Sequence, residues 1–474
     1  MRKTKIICTL GPSSNKREII MEMVKAGMNV ARFNFSHGTH EGHLATFQEL
    51  NWVRNELGIP VGTLMDTKGP EIRTGILKDG PVYLEEGTEF SLLIDDIEGD
   101  ATQVSISYKD LPRDLGDNRR ILIDDGLIEL EVLDIQPDKI RTRVLSGGEL
   151  SNRKGVNIPS TRLSMPYLSD ADKEDLAFGI RTGFDIVAAS FVRKREDVQQ
   201  MRDFLDNNGG KHIRIMAKIE NAEGVSNLEE IIQVCDSVMI ARGDMGVEIP
   251  FEEIPIIQKD IIKIASMAGK QVVTATQMLE SMVSHPRPTR AEITDVANAI
   301  FDGTSVTMLS GETANGKYPV EAVKTMVRII ERSEDDIDYK KQFFIDNMYQ
   351  DAHDITDAIS HATCLIAYNL NAKAIITVTK SGTTAYMISR FRSDIPIIAC
   401  TPDATVLRQM SLSWGVTGLM VGEERIMEVL FDSAINTAKH EGLVEAGDLV
   451  VLTTGIPLSQ SGSTNLVKVT HVPD

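Results

Sequence analysis

Eight short apolar segments, separated by helical patterns, recur between Ile6 and Leu309. Three come first, and five more follow after a long interruption. Strands that alternate with helices form parallel sheets, and eight of them close into a β/α barrel. The eight predicted strands are Ile6–Leu10, Val30–Phe35, Val61–Met65, Ile186–Val192, Ile213–Ile219, Ser237–Ala241, Val272–Ala275 and Val306–Leu309. We therefore predict an α/β fold built on a (β/α)8 TIM barrel.

The interruption, from Pro70 to about Pro166, has a different periodicity. Apolar residues alternate with polar ones, as at Val82 and Leu84, and turn signals such as Asp125-Gly126 separate the runs. Alternation with frequent turns is typical of antiparallel β-structure. We predict an inserted small β-barrel domain.

The chain after about Asp335 forms a third unit. A helical pattern over 355–370 precedes four apolar strands, predicted at 374–379, 395–400, 419–421 and 449–453. Strands with helices between them indicate a doubly wound α/β domain. The expected domains are a catalytic barrel over 1–69 and 167–338, an inserted lid over 70–166, and a C-terminal α/β domain over 339–474.

Charge and composition exclude several kinds of partner. The 474 residues carry a net charge of −19, which argues against nucleic acid or an anionic membrane. No apolar run approaches the length of a membrane span. The four cysteines, which have no zinc-ligand spacing, are expected to be buried free thiols. We expect a cytoplasmic protein.

Polar residues stand at the ends of the predicted barrel strands, which is where active sites of such barrels lie. One such residue is usually a cap or a turn former, but a set on one face favours a site. The set comprises Arg32, Asn34, Ser36, Asp66, Thr67, Lys218, Glu220, Asp244, Thr276, Ser310, Gly311 and Glu312.

These residue types suggest a division of roles. Glu220 and Asp244 are hard oxygen donors suited to Mg²⁺ or Mn²⁺. Arg32 and Lys218 suit a phosphoryl group. The backbone amides of the turn that starts at Arg242 suit an anion such as a carboxylate. A cage for a monovalent cation, or ordinary loop hydrogen bonding, would explain Asn34, Ser36, Asp66 and Thr67.

Two glycine-containing loops are candidates for phosphate binding. The segment 311–318 nearly matches a P-loop, but Tyr318 lacks the aliphatic hydroxyl that ligates Mg²⁺, and Pro319 follows. We do not expect a P-loop there. The segment 379–384, TKSGTT, joins a strand to a helix. From spacing alone it is equally a phosphate site or a simple helix cap.

The chain resembles the pyruvate kinase family in a series of motifs that extends over nearly its whole length. The motifs KIEN and RPTRAE are specific to that family. The matching segments are KIICTLGPSS, GMNVARFNFSHG, MDTKGPEIRTG, KGVNIP, AKIENAEGV, MIARGDMGVEIP, TATQMLESM, PRPTRAE and DGTSVTMLSGETANGKYP. Met245 replaces the more usual leucine of its turn. The resemblance is to the bacterial type without an extra C-terminal domain.

This resemblance implies transfer of the phosphoryl group of phosphoenolpyruvate to ADP, giving pyruvate and ATP, with Mg²⁺ (or Mn²⁺) and K⁺ as cofactors. Lys218 and Arg32 would act on the phosphoryl group, and Thr276 would lie near the proton transfer. Gly243, Asp244 and Thr276 would hold the substrate carboxylate. Mg²⁺ would be bound by Glu220 and Asp244, and K⁺ by Asn34, Ser36, Asp66 and Thr67.

The resemblance also implies further partners. The nucleotide would contact Asn34, Phe35, Ser36, His37, Arg73 and Lys154. Glu71 matches the K⁺-requiring form of the family. A phosphorylated effector, fructose 1,6-bisphosphate before AMP or a sugar monophosphate, would bind Thr379, Lys380, Ser381, Gly382, Thr383 and Thr384. A homotetramer acting at the final step of glycolysis is expected.

Two other functions fit parts of the sequence. A Mg²⁺-dependent lyase or aldolase that works through a pyruvate enolate would share the metal ligands, but it would not need ADP. An inactive paralogue that binds metabolites would be expected to have lost catalytic residues. Arg32, Lys218, Glu220, Asp244 and Thr276 are all present.

Overall fold

The computed structural model describes residues 2–159, 161–346, 354–457 and 464–474. Its first part is a parallel β/α arrangement in which the second strand lies between the first and the third. The elements are β1 (Lys5–Thr9), α1 (Arg17–Ala26), β2 (Val30–Asn34), α2 (His40–Leu57) and β3 (Gly62–Asp66). The helices bury apolar residues against these strands, as α1 does with Ile20, Met23 and Val24.

The inserted segment follows β3 and is almost entirely β-structure. Its elements are β4 (Ile72–Arg73), β5 (Val82–Leu84), β6 (Glu89–Leu93), β7 (Gln103–Ser105), α3 (Leu111–Asp114), β8 (Arg120–Ile123), β9 (Ile128–Gln136), β10 (Lys139–Ser146), β11 (Gly148–Leu150) and β12 (Gly155–Asn157). Within the described residues, seven strands form one sheet in the order β4-β12-β8-β9-β10-β6-β7, and β5 pairs with β11. A bridge between Thr74 and Ile106 brings the two ends of the large sheet together. The sheet therefore curls around its own apolar core, as predicted.

The chain then returns to the β/α pattern and completes the barrel. The strands are β13 (Ile186–Ala189), β14 (Arg214–Ile219), β15 (Ser237–Ala241), β16 (Gln271–Ala275) and β17 (Val306–Leu309). Together with β1, β2 and β3 they form a closed parallel barrel in the order β1-β17-β16-β15-β14-β13-β3-β2. The eight predicted strands are thus confirmed.

Helices connect these strands on the outside of the barrel. They are α4 (Asp170–Thr182), α5 (Arg195–Asn207), α6 (Ala222–Ser226), α7 (Leu228–Val234), α8 (Arg242–Glu248), α9 (Ile254–Met267), a 3-10 turn (Glu280–Val283), α10 (Arg290–Phe301), α11 (Gly311–Ala314) and α12 (Pro319–Glu334). The RPTRAE motif supplies the N-cap of α10, where Thr289 and Glu292 form a reciprocal capping box.

The C-terminal unit is a five-stranded sheet flanked by helices. Its elements are α13 (Tyr339–Asp346), α14 (Ile355–Asn369), β18 (Ala374–Val378), α15 (Thr383–Ser389), β19 (Ile397–Thr401), α16 (Ala404–Gln409), a 3-10 turn (Met410–Leu412), β20 (Val416–Met420), α17 (Met427–His440), β21 (Leu449–Thr454) and β22 (Leu466–His471). The sheet order is β20-β19-β18-β21-β22, and β22 is antiparallel to β21. The four predicted strands are present, whereas α13 and β22 were not predicted.

This unit packs against the amino-terminal end of the barrel. Leu412 joins the apolar cluster inside the barrel, which includes Ile7 and Met216. The Lys5 ammonium donates to the Val416 carbonyl at 2.8 Å. These contacts cover the amino-terminal end of the barrel, while its carboxyl end, where the strands finish, stays accessible.

Two sequence expectations about the chain as a whole can also be checked. All four cysteines are buried and free. None of the helices in the described ranges combines the length and the apolarity that crossing a lipid bilayer requires.

Candidate active site

A cavity of about 700 Å³ lies between the carboxyl ends of the barrel strands and the inserted sheet. The barrel contributes side chains from the ends of β2, β3, β13, β14 and β15, and the insertion contributes the turn after β8 and strand β12. Among the residues that line the cavity are Arg32, Asn34, Ser36, His37, Asp66, Thr67, Glu71, Arg73, Asp124, Lys154, Ser190, Lys218, Glu220 and Asp244. Most of the predicted strand-end set therefore meets in one place.

Lys218 lies at the centre of a hydrogen-bonded cluster at this end of the barrel. Its Nζ is 3.0 Å from Asp66 Oδ1, 2.9 Å from Glu220 Oε1 and 2.8 Å from Ser190 Oγ. Burial alone would lower the pKa of Lys218, but Asp66 and Glu220 outweigh it and raise the pKa. The lysine therefore remains a fixed positive charge at neutral pH.

Arg32 and Lys218 share Asp66 as a common partner. Arg32 Nε lies 2.6 Å from Asp66 Oδ2, and its Nη1 donates to Thr9 Oγ1 at 2.8 Å. Burial favours the neutral form of Asp66, but Lys218 and Arg32 hold the pKa of this carboxyl below its ordinary value. Asp66 thus fixes the positions of two cations, both of which line the cavity.

Glu220 and Asp244 follow two adjacent parallel strands, β14 and β15. Glu220 Oε2 accepts the backbone N–H of Phe191 at 2.6 Å, while Oε1 faces Lys218. Burial raises the pKa of Glu220, and the charge of Asp244 adds to the rise. A buried carboxylate and a partly exposed one, each of which disfavours the other's negative charge, are a suitable pair of ligands for a divalent cation.

Next to Asp244, the turn at the start of α8 contacts the loop after β16. The Gly243 N–H donates to Thr276 Oγ1 at 2.9 Å, and Thr276 Oγ1 donates to the Ala275 carbonyl at 2.6 Å. Gly243 and Thr276 lie beside the residues described as lining the cavity rather than among them. The predicted carboxylate-binding pair is therefore in mutual contact at the edge of the cleft.

The predicted monovalent-cation set also converges. Asn34 is paired with Asp66 across β2 and β3, and Asn34, Ser36, Asp66 and Thr67 all line the cavity. Asn34 Oδ1 accepts the Ser36 N–H at 3.1 Å, and Thr67 Oγ1 donates to the Ala188 carbonyl at 3.2 Å. Local hydrogen bonds therefore orient oxygen atoms that retain unused lone pairs.

The two candidate nucleotide cations are each paired with a carboxylate. Arg73 lies 2.5 Å from Glu71, and Lys154 lies 2.8 Å from Asp124. Phe35 differs from the other candidates because its side chain is buried and stacks on His43, with ring centroids 4.4 Å apart. Its aromatic ring therefore belongs to the barrel core rather than to the cavity wall.

The candidate effector loop lies at the carboxyl end of β18, far from this cleft along the chain. Lys380, Ser381 and Thr383 are at least partly exposed, whereas Thr379, Gly382 and Thr384 are buried. The Gly382 N–H donates to Thr379 Oγ1 at 3.0 Å, and Gly382 has φ +82°, a conformation that glycine adopts without strain. Thr384 Oγ1 is hydrogen-bonded to Thr464 Oγ1 at 2.8 Å.

Sequence reasoning missed Ser190 and Phe191. Ser190 bonds Lys218, Asp66 and the Thr67 carbonyl, and the Phe191 N–H binds Glu220. The predicted strand ran to Val192 and so contained both residues, whereas β13 ends at Ala189. The strand-end rule that selected the other residues therefore passed over them. The segment 311–318, which nearly matches a P-loop in sequence, is occupied by a carboxylate: Glu312 is buried there and accepts the N–H groups of Leu279 and Ser310.

A closed β/α barrel with buried cations beside paired carboxylates suits an enzyme that acts on phosphorylated substrates. Comparison with known proteins gives the family. Residues 1–323 match the pyruvate kinase barrel domain, and residues 357–470 match the pyruvate kinase alpha/beta domain.

Individual relatives are similar to this chain over all or nearly all of its length. A pyruvate kinase of Geobacillus stearothermophilus is 47% identical over 475 residues, covering 100% of this chain and 81% of the relative. One from Clostridium acetobutylicum is 47% identical over 470 residues, covering 99% of each. The crystal structure of a pyruvate kinase from Cryptosporidium parvum superposes with a TM-score of 0.94 at 40% identity, covering 100% of this chain and 96% of that one.

The chain belongs to the pyruvate kinase family and is a phosphotransferase. The family and the barrel fold expected from the sequence are thereby confirmed.

Proposed function

We propose that the cleft transfers the phosphoryl group of phosphoenolpyruvate to ADP, producing pyruvate and ATP at the final step of glycolysis. The observation that carries this proposal is the Lys218 cluster. A buried ammonium is held between Asp66 and Glu220 at 3.0 and 2.9 Å, next to a carboxylate pair that suits Mg²⁺. Phosphoryl transfer is catalysed mainly by positioned positive charge, because the transferring group is a dense anion.

The residues have distinct roles in this reaction. Arg32 holds the phosphoryl oxygens, and Lys218 neutralises the charge on the group in flight. The amides of Gly243 and Asp244, together with Thr276, hold the substrate carboxylate, and Thr276 lies near the proton transfer to the enolate carbon. A covalent nucleophile on the protein is not required.

The metal ligands fit this scheme. Mg²⁺, or Mn²⁺, would be held by Glu220 and Asp244, and it would supply Lewis-acid neutralisation of the enolate and phosphoryl oxygens. The described residues contain no group of three or more His, Cys, Asp or Glu side chains placed to hold a metal. Two protein carboxylates leave coordination positions for substrate oxygens and water, as is usual for Mg²⁺.

The four oxygen-bearing residues at and just beyond the ends of β2 and β3 suit K⁺. Asp66 supplies the negative charge, while Asn34, Ser36 and Thr67 supply neutral oxygens in a shell already ordered by hydrogen bonds. Full activity would therefore require both the divalent cation and K⁺.

The inserted domain, assigned to residues 70–166, acts as a lid that carries part of the ADP site. Arg73 and Lys154 lie at its two connections to the barrel: Arg73 ends strand β4, and Lys154 immediately precedes the adjacent strand β12. Each must exchange its carboxylate partner for a nucleotide phosphate when the lid closes. Asn34 to His37 lie opposite, and closure would exclude water as a competing phosphoryl acceptor.

The C-terminal domain, assigned to residues 339–474, binds a phosphorylated effector at the 379–384 loop. Lys380 supplies charge, and Ser381 and Thr383 supply accessible hydroxyls whose Oγ atoms lie 3.0 Å apart. Fructose 1,6-bisphosphate is the first candidate, ahead of AMP or a sugar monophosphate. The chain acts as a cytoplasmic homotetramer.

A coupled assay of pyruvate formation tests the proposal. Activity should require phosphoenolpyruvate, ADP and Mg²⁺ and should rise with K⁺, and the effectors are then added one at a time. Pyruvate formation that does not depend on ADP would favour a lyase. Folded protein with no activity under any condition would favour an inactive paralogue.

Metal binding provides a second test without turnover. Titration with Mn²⁺ followed by electron paramagnetic resonance should show weaker binding in Glu220→Gln, by about 10–100-fold. Glu223→Gln is the matched control, because Glu223 lines the same cavity but pairs with Arg162 at 3.6 Å. Equal affinity in wild type and Glu220→Gln would refute the assignment of this ligand.

A further inference from the structure

Two consecutive residues after strand β16 have backbone conformations that ordinary residues avoid. Thr276 has φ +66° and Gln277 has φ +55°. Neither is a glycine, and a left-handed backbone costs a side-chain-bearing residue on the order of 1 kcal/mol or more. Contacts from elsewhere in the fold must therefore hold this loop in place.

Arg242 makes those contacts. Its Nη2 donates to the Thr276 carbonyl at 2.8 Å and reaches the Gln277 carbonyl at 3.4 Å. On the other side of the guanidinium, Nη1 lies 2.8 Å from Asp295 Oδ1. Arg242 is buried, so these bonds are made with little competition from water.

The location of Arg242 gives these bonds a functional meaning. It is the first residue of α8, and the next residue, Gly243, donates its N–H to the Thr276 hydroxyl. One residue therefore fixes the backbone of Thr276, and its neighbour fixes the side chain of Thr276. The turn proposed to hold the substrate carboxylate and the hydroxyl proposed to lie near the enolate carbon are thus joined by direct bonds.

The rest of the loop is held by groups that do not touch Thr276. Glu312 accepts the Leu279 N–H at 3.0 Å, and Glu292 accepts the N–H and the hydroxyl of Ser281 at 2.7 and 2.6 Å. Arg242 Nη2 also lies 2.9 Å from the sulfur of Met278. Loss of the Arg242 bonds would thus free the first three residues of the loop, while Leu279 and Ser281 keep their own bonds.

We propose that Arg242 is a positioning residue for proton transfer: it holds Thr276 in its left-handed conformation and so aims the hydroxyl at the enolate carbon. This inference rests on the proposed function. In that step a C–H bond forms at the enolate carbon as the enolate C=C becomes a C–C bond and the C–O bond becomes C=O. The O–H bond of the Thr276 hydroxyl breaks as the proton leaves, and water returns a proton to the oxygen.

The experiment separates proton transfer from phosphoryl transfer. Exchange of the pyruvate methyl protons with D₂O, followed by NMR in the presence of Mg²⁺, K⁺ and ATP, reports proton transfer alone. ATP formation from phosphoenolpyruvate and ADP reports phosphoryl transfer. In Arg242→Gln the ratio of the first rate to the second should fall by about tenfold or more, because small displacements of a catalytic group have effects of this size.

Two further variants make the result specific. Arg242→Lys keeps the charge beside Asp295 but loses the planar pair of donors, so it should show the same fall in the ratio. Asp295→Asn keeps the guanidinium and its bonds to the loop, so its ratio should stay within about twofold of wild type. Asp295 is 37% exposed, so losing Arg242 does not leave a fully buried unpaired charge.

The outcomes are distinct. An unchanged ratio in folded Arg242→Gln or Arg242→Lys overturns the inference, as does an equal fall in Asp295→Asn. Wild-type protein without either activity would instead overturn the proposed function. In that case a crystal structure of Arg242→Lys tests the inference about Arg242. The backbone of Thr276 should leave the left-handed region. If Thr276 stays in that region and keeps its bond to the Gly243 N–H, the inference is refuted.

Discussion

Arg214 donates a hydrogen bond from Nη2 to the backbone carbonyl of Ser381 at 2.6 Å, joining the barrel to the candidate effector loop. The other nitrogen, Nη1, lies 2.7 Å from Asp236 Oδ1. Arg214 begins strand β14, whose far end carries Lys218, and Asp236 immediately precedes β15, which leads to Asp244. One guanidinium thus connects the loop to the starts of the two strands that hold the principal charges of the active site.

We predict that Arg214→Lys weakens the response to the effector. The three donors of a lysine share one nitrogen, which cannot occupy both of the positions from which Nη1 and Nη2 of Arg214 reach Asp236 and Ser381. The effector-induced fall in half-saturating phosphoenolpyruvate should shrink several-fold, a size typical of coupling free energies. Steady-state kinetics with and without fructose 1,6-bisphosphate measures it.

The control for that prediction is Arg408→Lys. Arg408 also joins the C-terminal unit to the barrel, through Asp185 at 2.8 Å, but its side chain bonds Asp185 and Thr405, which lie outside the effector loop. If both variants lose the response equally, general weakening of the interface is responsible and the Arg214 connection has no special role.

Lys218→Met should abolish phosphoryl transfer. Loss of a cation that neutralises the transferring group should cost several kcal/mol of transition-state stabilisation, or about 10³-fold or more in kcat. Lys68→Met is a suitable control, because Lys68 lines the same cavity but pairs with Asp175 at 3.0 Å. Turnover of Lys218→Met within about tenfold of wild type would contradict the assigned role.

Lys380 is paired with Glu423 at 2.8 Å, and an effector phosphate must compete for it. Replacing Lys380 and Ser381 should therefore remove activation but spare kcat at saturating substrate. Glu423→Gln should act in the opposite direction and tighten effector binding by about two- to fivefold, since exposed ion pairs are weak. Isothermal titration of the effector measures both, and unchanged binding in the double variant rules out this loop.

Glu248 makes the stability of the cleft depend on pH. It lies at the junction with the insertion, bonded to the Asn157 side chain and the Ala222 N–H. Burial, with the charges of Asp244 and Glu223, raises its pKa from 4.5 to about 7. Between these two values the folded protein binds more protons than the unfolded chain, so this group's contribution to stability falls as the pH rises.

Glu248→Gln should remove that dependence. Relative to wild type, it should gain about 1–3 kcal/mol of unfolding free energy between pH 4.5 and pH 8. Denaturant unfolding at both values gives the difference. A gain that is the same at both pH values would show that Glu248 does not titrate in this range.

Much of the fold followed from sequence because the barrel strands are buried on both faces. Each appears as a continuous apolar run, and the boundaries agree within a few residues, as at Ser237–Ala241 and Val306–Leu309. Strand β22 was not predicted because it is an edge strand with exposed residues such as Val469 and no continuous apolar run. Helix α13 has no apolar stripe to indicate it.

The site could be predicted as a set of strand ends but not as a network. Periodicity indicates that Lys218 and Asp66 lie at the same end of the barrel. It does not show that Asp66 binds both Lys218 and Arg32. That sharing depends on the order of strands around the barrel. The left-handed conformation of Thr276 also has no local signal, because no glycine stands at that position. We infer that Arg242, which is distant in sequence, holds it.

The pairing of β1 with β17 has a consequence for synthesis of the chain. Lys5 is opposite Val306 in this ladder, so the first strand has only one of its two neighbours until nearly all of the barrel has left the ribosome. The apolar run Ile6 to Cys8 cannot complete its pairing until β17 has been synthesised, whereas the insertion contains all the strands of its own sheet. The nascent chain should therefore complete its lid before its barrel, and it is vulnerable to aggregation or chaperone capture in the interval.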